Sequence, residues 1–368
     1  MTQSHNTWTT AGHGVPESME LDAETRALAA LVNLPPGFAE IADDPTLGPA
    51  VFTGMARVEK MLRDAIANSD PFVDQTSRHL VEAGGKRVRP LLVLLSSLLS
   101  GNEIISDDVV KAAAMVELTH LATLYHDDVM DSAPLRRGAP TAHEVWGNSV
   151  AILTGDLIFA RASILAASLG PAAVELQART FERLCLGQLH ESVGPRPEDN
   201  ALEHYLSVIS DKTASLLAAA GEFGARFGGT DDADTSVLNE YGEKVGVAFQ
   251  LADDVIDVTG AKVKSGKTPG TDLRERVPTL PVLILRRMAA DGDASASAVL
   301  ELVDGDLTSD EQLAAAVYAV ANHPATNEAW AVARQWADEA RAALAPLADG
   351  PVKRSLLDFA DAVVSREQ

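Results

Sequence analysis

The chain has 368 residues, 46% of them hydrophobic, which is enough to fill a sizeable core and excludes disorder as its main state. Its formal net charge of −23 excludes nucleic acid and anionic lipid as partners of the bulk surface, so an anionic ligand has to be held by local cations or metal ions. One cysteine, Cys185, excludes a disulfide framework and a thiolate zinc site and fits a reducing cytosol.

In chain order, residues 1–48 are polar and rich in Pro, Gly and Thr, with one short helical patch around Asp22–Val32, and read as a flexible extension. No basic start followed by an apolar run marks a signal peptide. The longest strongly apolar stretch, Leu91–Leu99, is far short of the roughly 20 residues that cross a bilayer, so no membrane span and a cytoplasmic location are expected. From Pro49 onward apolar positions recur every three or four residues, the helical period. Ser106, with Asp107 and Asp108 after it, predicts a capped, dipole-matched helix running to about Met130. Gly84-Gly85, Gly138, Gly170 and Gly228-Gly229 predict helix stops, and strand or hairpin signals are absent. The Ala-rich pattern after Met288 (Trp330, Ala333, Trp336, Ala337, Ala340) predicts further packed helices. No linker divides residues 49–368, which predicts a single all-α domain, a helical bundle.

Two aspartate pentads stand out, Asp127-Asp128-Val129-Met130-Asp131 and Asp253-Asp254-Val255-Ile256-Asp257. In each, the first and last Asp are four apart and share a helix face, although like charges at that spacing repel. Each is framed by apolar residues, Leu121, Leu124 and Tyr125 before the first and Val247, Phe249 and Leu251 before the second, unlike a solvated acidic patch. Two copies of that pattern point to oxygen ligation of a hard divalent cation, Mg²⁺, which takes one or two carboxylates and completes its shell with substrate phosphates. An EF-hand loop and a zinc signature are both absent. The cations cluster beside these acids: Lys86, Arg87 and Arg89 before a Pro-bearing helix start, Arg136-Arg137 after the first pentad, Lys212 in an apolar helix and Lys267 after the second pentad. Cations at a helix start oppose its dipole unless an anion sits there.

With GGKRVRP (84–90), ELTHLATLYHDDVMDSAPLRRGAPTAH (117–143), GNSVAILTGDLIFARA (147–162), DKTASL (211–216), YGEKVGVAFQLADDVIDVTG (241–260) and GKTPGTDL (266–273) in this order, the chain resembles the trans-polyprenyl diphosphate synthases. The resemblance implies the type I isoprenoid synthase fold, helices around a central apolar cavity. It implies a Mg²⁺-dependent prenyltransferase that condenses isopentenyl diphosphate with an allylic diphosphate, farnesyl or geranylgeranyl. Gly85, Lys86, Arg89, His120 and Arg137 would hold the isopentenyl diphosphate; without the family, His120 would read as a core histidine. Asp127, Asp128, Asp131, Asp253, Asp254 and Asp257 would surround the metal ions. Arg136 and Lys267 would grip the allylic diphosphate, with Lys212, Thr213 and Gln250 next to the reacting carbons. Metal and fixed cations would neutralise the leaving pyrophosphate, which would also accept the proton lost afterwards.

The family's chain-length floor falls on Ala122 and Thr123, with Thr119 and Val116 deeper; these small residues imply an open tunnel and a long product, heptaprenyl to decaprenyl, for a quinone side chain such as that of menaquinone. Ala122→Phe is then expected to shorten it. The same reading implies a homodimer and transient membrane contact at product release. Departures are Gly187-Gln188 for the usual Gly-Glu, Tyr125 for an aliphatic residue, and Arg274-Glu275-Arg276-Val277, where Arg276 is the candidate for a usual Lys. The rivals are a short-chain farnesyl or geranylgeranyl diphosphate synthase, a class I terpene cyclase, which would have no use for Lys86, Arg89, His120 and Arg137, and a non-catalytic subunit, which would have lost pentad residues.

Overall fold

The Asp107–Met130 helix starts where its cap dictates: the Ser106 hydroxyl accepts the Val109 backbone N–H at 3.3 Å, and Asp107 and Asp108 fill the first turn. The same logic sets the Pro71–Glu82 helix, where Asp70 accepts from the Phe72 and Val73 N–H groups and Pro71 needs no donor partner. A computed structural model describes residues 37–38, 41, 44–259 and 269–365. Most of the 1–48 extension and Lys267 therefore lie outside the described residues. The described chain is helical almost throughout: Leu47–Ile66, Pro71–Glu82, Val88–Ser97, Asp107–Met130, Ala142–Trp146, Asn148–Leu169, Pro171–Val193, Ala201–Ile209, Ser215–Gly228, Asp232–Thr259, Thr271–Arg274, Leu280–Ala290, Ala294–Val303, Asp310–Ala321, Pro324–Ala343 and Pro351–Val364.

Helix stops at Gly84, Gly170 and Gly228-Gly229 fall where the glycines predict, but Gly138 does not stop a helix. It lies in the tight turn of an antiparallel ribbon, Leu135–Arg136 with Ala139–Pro140. Arg137 and Gly138 both have positive φ (54° and 81°), the signature of a type I′ hairpin turn, and an arginine in the first place hid it from the sequence pattern. A π-helical turn, Ser210–Ala214, is the second local feature without a sequence signal.

The chain forms two compact units, each built from separated segments. The first comprises Met1–Glu182, Leu216–Gly242 and Leu344–Leu357. In it, Asp107–Met130 packs against Asn148–Leu169, Val88–Ser97 and Leu47–Ile66. Val88–Ser97 is buried on nearly every side, as an all-round apolar helix must be, and each fully buried leucine (Leu91, Leu92, Leu94, Leu95) contributes about 1.5–3 kcal/mol as an upper estimate. Gly224 lets the Ser215–Gly228 helix approach it, because a Cβ there would stand 2.2 Å from the Val93 carbonyl oxygen. The second unit comprises Arg183–Ser215, Glu243–Ala343 and Asp358–Gln368. Its core is Leu280–Ala290 packed on Ala294–Val303 and Pro324–Ala343, the last burying Ala325, Ala329, Trp330, Ala333, Ala337 and Ala340 in one stripe. The divisions after Glu182, Gly242 and Leu357 fall inside helices, so no composition shift marks them.

One helix, Asn148–Leu169, is 22 residues long and apolar enough to cross a membrane by length and composition, which the Leu91–Leu99 estimate overlooked. Its Ala151, Thr154, Gly155, Ile158, Ala162 and Ala166 are buried with the spacing of a helix seated on protein.

Candidate active site

In the first unit, the first pentad occupies the last turn of the Asp107–Met130 helix, the negative end of its dipole. Three carboxylates there aggravate the local charge, and their acceptor-only oxygens suit a hard cation. The three do not play one role. Asp127 is half-buried and Asp131 exposed, whereas Asp128 is 1% exposed. Asp128 Oδ1 accepts from Arg136 Nε at 2.7 Å and Nη2 at 2.6 Å, and its Oδ2 is buried without a hydrogen-bond partner. Burial raises the Asp128 carboxyl above its ordinary range, and Arg136 counters that. Asp128, expected as a metal ligand, is thus the carboxylate that anchors Arg136. Arg136, expected free for a diphosphate, has two of its five N–H donors committed.

The basic cluster of the same unit is likewise divided. Lys86 is exposed. Arg87 is buried, with left-handed φ of 48°, and gives Nε to Glu59 at 2.6 Å, Nη1 to Glu117 at 2.8 Å and Nη2 to the Val81 carbonyl at 3.1 Å. It thus fixes the loop rather than facing an anion. Glu117, which sequence reasoning missed, is 2% exposed and also acts electrostatically on Arg89 and Arg137. Burial and the neighbouring Arg137 lower the Arg89 guanidinium, whose Nε is buried without a partner. Arg137 gives Nη1 to the Leu80 carbonyl at 3.2 Å, and its guanidinium carbon lies 2.9 Å from where a Cβ of Gly85 would be. Gly85 holds a positive φ of 150°, which favours glycine, and leaves space for that guanidinium. Burial first, then Arg89, Arg137, Arg136 and Arg87, push the His120 imidazole well below its ordinary value, so it is neutral. Gly85, Arg89, His120 and Arg137 are brought together, in surroundings rich in positive charge.

Tyr125, the departure from an aliphatic residue, has a structural reason. Its hydroxyl donates to the Thr76 carbonyl at 2.6 Å and accepts the Leu80 N–H at 3.3 Å, pinning the Pro71–Glu82 helix beside the cluster. Of the four floor candidates, Ala122, Thr119 and Val116 are buried and Thr123 alone has accessible surface. The Ala122 carbonyl oxygen lies 3.1 Å from a Cβ built on Gly155 of the neighbouring Asn148–Leu169 helix, so the two helices meet closely at this turn.

In the second unit, Lys212 and Thr213 lie on the π turn, a geometry frequent at functional sites. The Pro171–Val193 helix meets it at Gly187, where a Cβ would stand 2.6 Å from the Lys212 nitrogen. Lys212 Nζ donates to Glu191, while Gln188, at the family's Glu position, has a buried Oε1 without a partner. Glu191 thus supplies the carboxylate that Gln188 does not. Thr213 Oγ1 donates to Gln250 Oε1 at 3.1 Å, and Gln250 Nε2 donates to Asp254 Oδ1 at 2.8 Å. Asp254 also accepts the Tyr205 hydroxyl. Burial and the nearby Asp272 push Asp254 up to about 8. Both oxygens of Asp254, expected as a metal ligand, are engaged by Tyr205 and Gln250. Asp253 is half-buried, and buried Asp257 accepts the Asp272 N–H at 3.3 Å. Arg276, the candidate replacement for a family lysine, instead caps a helix end, giving Nη1 to the Asp304 carbonyl at 3.2 Å and Nη2 to that of Gly305 at 2.6 Å. Among the described residues no three His, Cys, Asp or Glu side chains form a metal cage on their own.

The family model described as Polyprenyl synthetase matches residues 70–320. The nonaprenyl diphosphate synthase of Mycobacterium tuberculosis is 43% identical over 323 residues, which cover 88% of this chain and 95% of that one. The polyprenyl synthase of Caulobacter crescentus, solved in complex with calcium and isoprenyl diphosphate, superposes with a TM-score of 0.79 at 34% identity, covering 90% of this chain and 98% of that one. The geranylgeranyl pyrophosphate synthase of Corynebacterium glutamicum, also with calcium and isoprenyl diphosphate, gives 0.77 at 39% identity over 88% of this chain and 98% of its own. The basic pocket and the two pentads thus stand in a chain that belongs to the polyprenyl diphosphate synthase family, the all-α prenyltransferases.

Proposed function

We propose that this transferase makes a long-chain all-trans polyprenyl diphosphate, heptaprenyl to decaprenyl, for a quinone side chain in the cytoplasm, with residues 49–368 as its catalytic domain. The observation that carries the diphosphate reading is the crowding of Arg87, Arg89 and Arg137 around neutral His120, a charge state that an anion would relieve. Lys86, Arg89, Arg137 and His120 hold isopentenyl diphosphate. Arg136, anchored by Asp128, keeps its remaining N–H groups for the allylic diphosphate, together with Lys267. Asp127 and Asp131, and Asp253 with Asp257, would hold Mg²⁺, which supplies charge neutralisation on the leaving pyrophosphate when bound. The allylic C–O bond breaks with its electron pair on oxygen. The isopentenyl double bond attacks the resulting cation, and the pyrophosphate takes the proton lost from the adduct. Apolar helices exclude the water that would quench the cation.

The long product is supported by the nonaprenyl relative and by the small Thr123. The Corynebacterium glutamicum relative supports the shorter alternative, geranylgeranyl diphosphate. Purified chain with Mg²⁺, labelled isopentenyl diphosphate and farnesyl or geranylgeranyl diphosphate is expected to give a product ladder reaching heptaprenyl or beyond. A stop at geranylgeranyl overturns the length, a cyclic hydrocarbon the reaction, and no incorporation the autonomous enzyme. Thr123→Phe is expected to shorten the ladder by several isoprene units. Ala122→Phe, by contrast, overpacks a closed contact and is expected to cost about 1–3 kcal/mol of stability. An unchanged ladder in Thr123→Phe sinks the floor assignment.

A homodimer is proposed through the exposed apolar residues Ile152, Leu153 (66%) and Ile164 of the Asn148–Leu169 helix. Equilibrium sedimentation is expected to give twice the chain mass, and Leu153→Asp to give a single chain; a monomeric wild type refutes the dimer.

A further inference from the structure

We propose that Tyr205 is a positioning residue for the prenyl-transfer step, acting through Asp254 and Gln250 on Thr213; the proposal rests on the reaction assigned above. Tyr205 lies on the Ala201–Ile209 helix, outside both pentads and the Lys212-Thr213 turn. Its phenol donates to Asp254 Oδ2, and the Leu280 backbone N–H also reaches it. Asp254 is 5% exposed, so without the phenol its Oδ2 would be buried and unsatisfied.

The consequence travels along the chain of hydrogen bonds. A carboxamide has a donor end and an acceptor end, and a carboxyl oxygen that carries no proton accepts only. Asp254 Oδ1 accepts from the NH₂ of Gln250 at 2.8 Å, which orients the amide. That leaves Oε1 toward Thr213, whose hydroxyl must then donate, at 3.1 Å. With its proton so committed, Thr213 Oγ1 keeps its lone pairs outward, and Gln250 Oε1 keeps one. Two oriented oxygen dipoles of that sign suit developing positive charge, whereas a flipped amide would present N–H groups to it. Tyr205 holds the carboxylate that sets this direction, and the middle Asp of the second pentad is an orienting group rather than a metal ligand.

The test uses the full chain with Mg²⁺ and both diphosphates. Tyr205→Phe is expected to lower kcat about tenfold, a hydrogen bond's worth, with KM for isopentenyl diphosphate and the half-saturating Mg²⁺ concentration unchanged within about twofold. In a double-mutant cycle with Gln250→Ala, the double variant is expected to be no slower than Gln250→Ala alone, because both changes act through one group. Asp254→Asn carries the same test should Tyr205→Phe not fold. It is expected to lower kcat with no change in the Mg²⁺ requirement and no change in Mg²⁺ affinity by calorimetry. Wild-type kcat in Tyr205→Phe, multiplicative effects in the cycle, or a several-fold weaker Mg²⁺ affinity in Asp254→Asn overturns the proposal. A wild-type chain that incorporates no isopentenyl diphosphate overturns the reaction assignment itself, and is told apart because it precedes any variant.

Discussion

Asp127→Asn is expected to lower kcat by about a thousandfold, the scale seen when one preorganised charge-stabilising group is removed, and to raise the Mg²⁺ concentration needed for half activity. Asp127 is half-buried in the last turn of its helix, and its carboxylate is an acceptor-only oxygen donor. Asn keeps the volume and one acceptor but removes the charge that a hard cation requires. The fold has little reason to respond, so the thermal midpoint is expected to stay within about 3 °C. Asp128→Asn differs in kind. It leaves Arg136 without the carboxylate that holds it from 2.6 and 2.7 Å, and so disorders a cation rather than removing a metal donor. Its Mg²⁺ requirement is expected to remain that of the wild type while KM for the allylic diphosphate rises. Steady-state kinetics over a Mg²⁺ series separates the two. Equal Mg²⁺ effects in both variants would return Asp128 to the metal shell, and an Asp127→Asn enzyme with a tenth or more of wild-type kcat would remove the pentad from catalysis.

That division within a pentad was not legible in the sequence. Spacing places Asp127 and Asp131 on one face, but says nothing about whether Asp128 meets solvent or a guanidinium eight residues on. The long helix itself was readable, since its cap at Ser106, its acidic first turn and its apolar period all agree. The ribbon after it was hidden because Arg137 occupies a left-handed position that the pattern reserves for Asn, Asp or Gly. Arg87 and Arg137, both motif arginines, hold left-handed backbone, a strained state that persists where surrounding contacts over-determine it. For Arg87 those contacts are Glu59, Glu117 and the Val81 carbonyl. Glu59 lies outside the motifs among ordinary helix-surface charges, and Glu117 opens a motif whose aspartates draw the reading, so their role required coordinates. Tyr205 and Glu191 were missed for the same reason: each matters through a partner distant in sequence, Asp254 and Lys212.

Glu117→Gln is expected to destabilise the ligand-free protein by about 3–5 kcal/mol, the cost of breaking a buried pair from one side. Glu117 is the carboxylate that Arg87 reaches at 2.8 Å and that also supports the charge on Arg89 and Arg137. Gln preserves the shape, so the loss reports on charge: three crowded guanidiniums would keep Glu59 on Arg87 and lose their shared counter-charge. The ligand dependence then has a definite sign. A diphosphate brings negative charge into the same cluster, so it replaces part of what Glu117 supplied and binds the variant's folded state with less electrostatic competition. By linkage, a ligand that binds the folded state raises stability in proportion to the logarithm of its concentration over Kd. Isopentenyl diphosphate is therefore expected to raise the thermal midpoint of Glu117→Gln by more than that of the wild type, an effect that weakens at high salt for the exposed part of the interaction. Glu59→Gln, which touches Arg87 alone, should lower stability without that enlarged ligand response. Thermal scans with and without isopentenyl diphosphate decide it. An equal or smaller ligand shift in Glu117→Gln would mean that the anion does not enter this cluster, and the pocket of Arg89, Arg137 and His120 would lose its assignment.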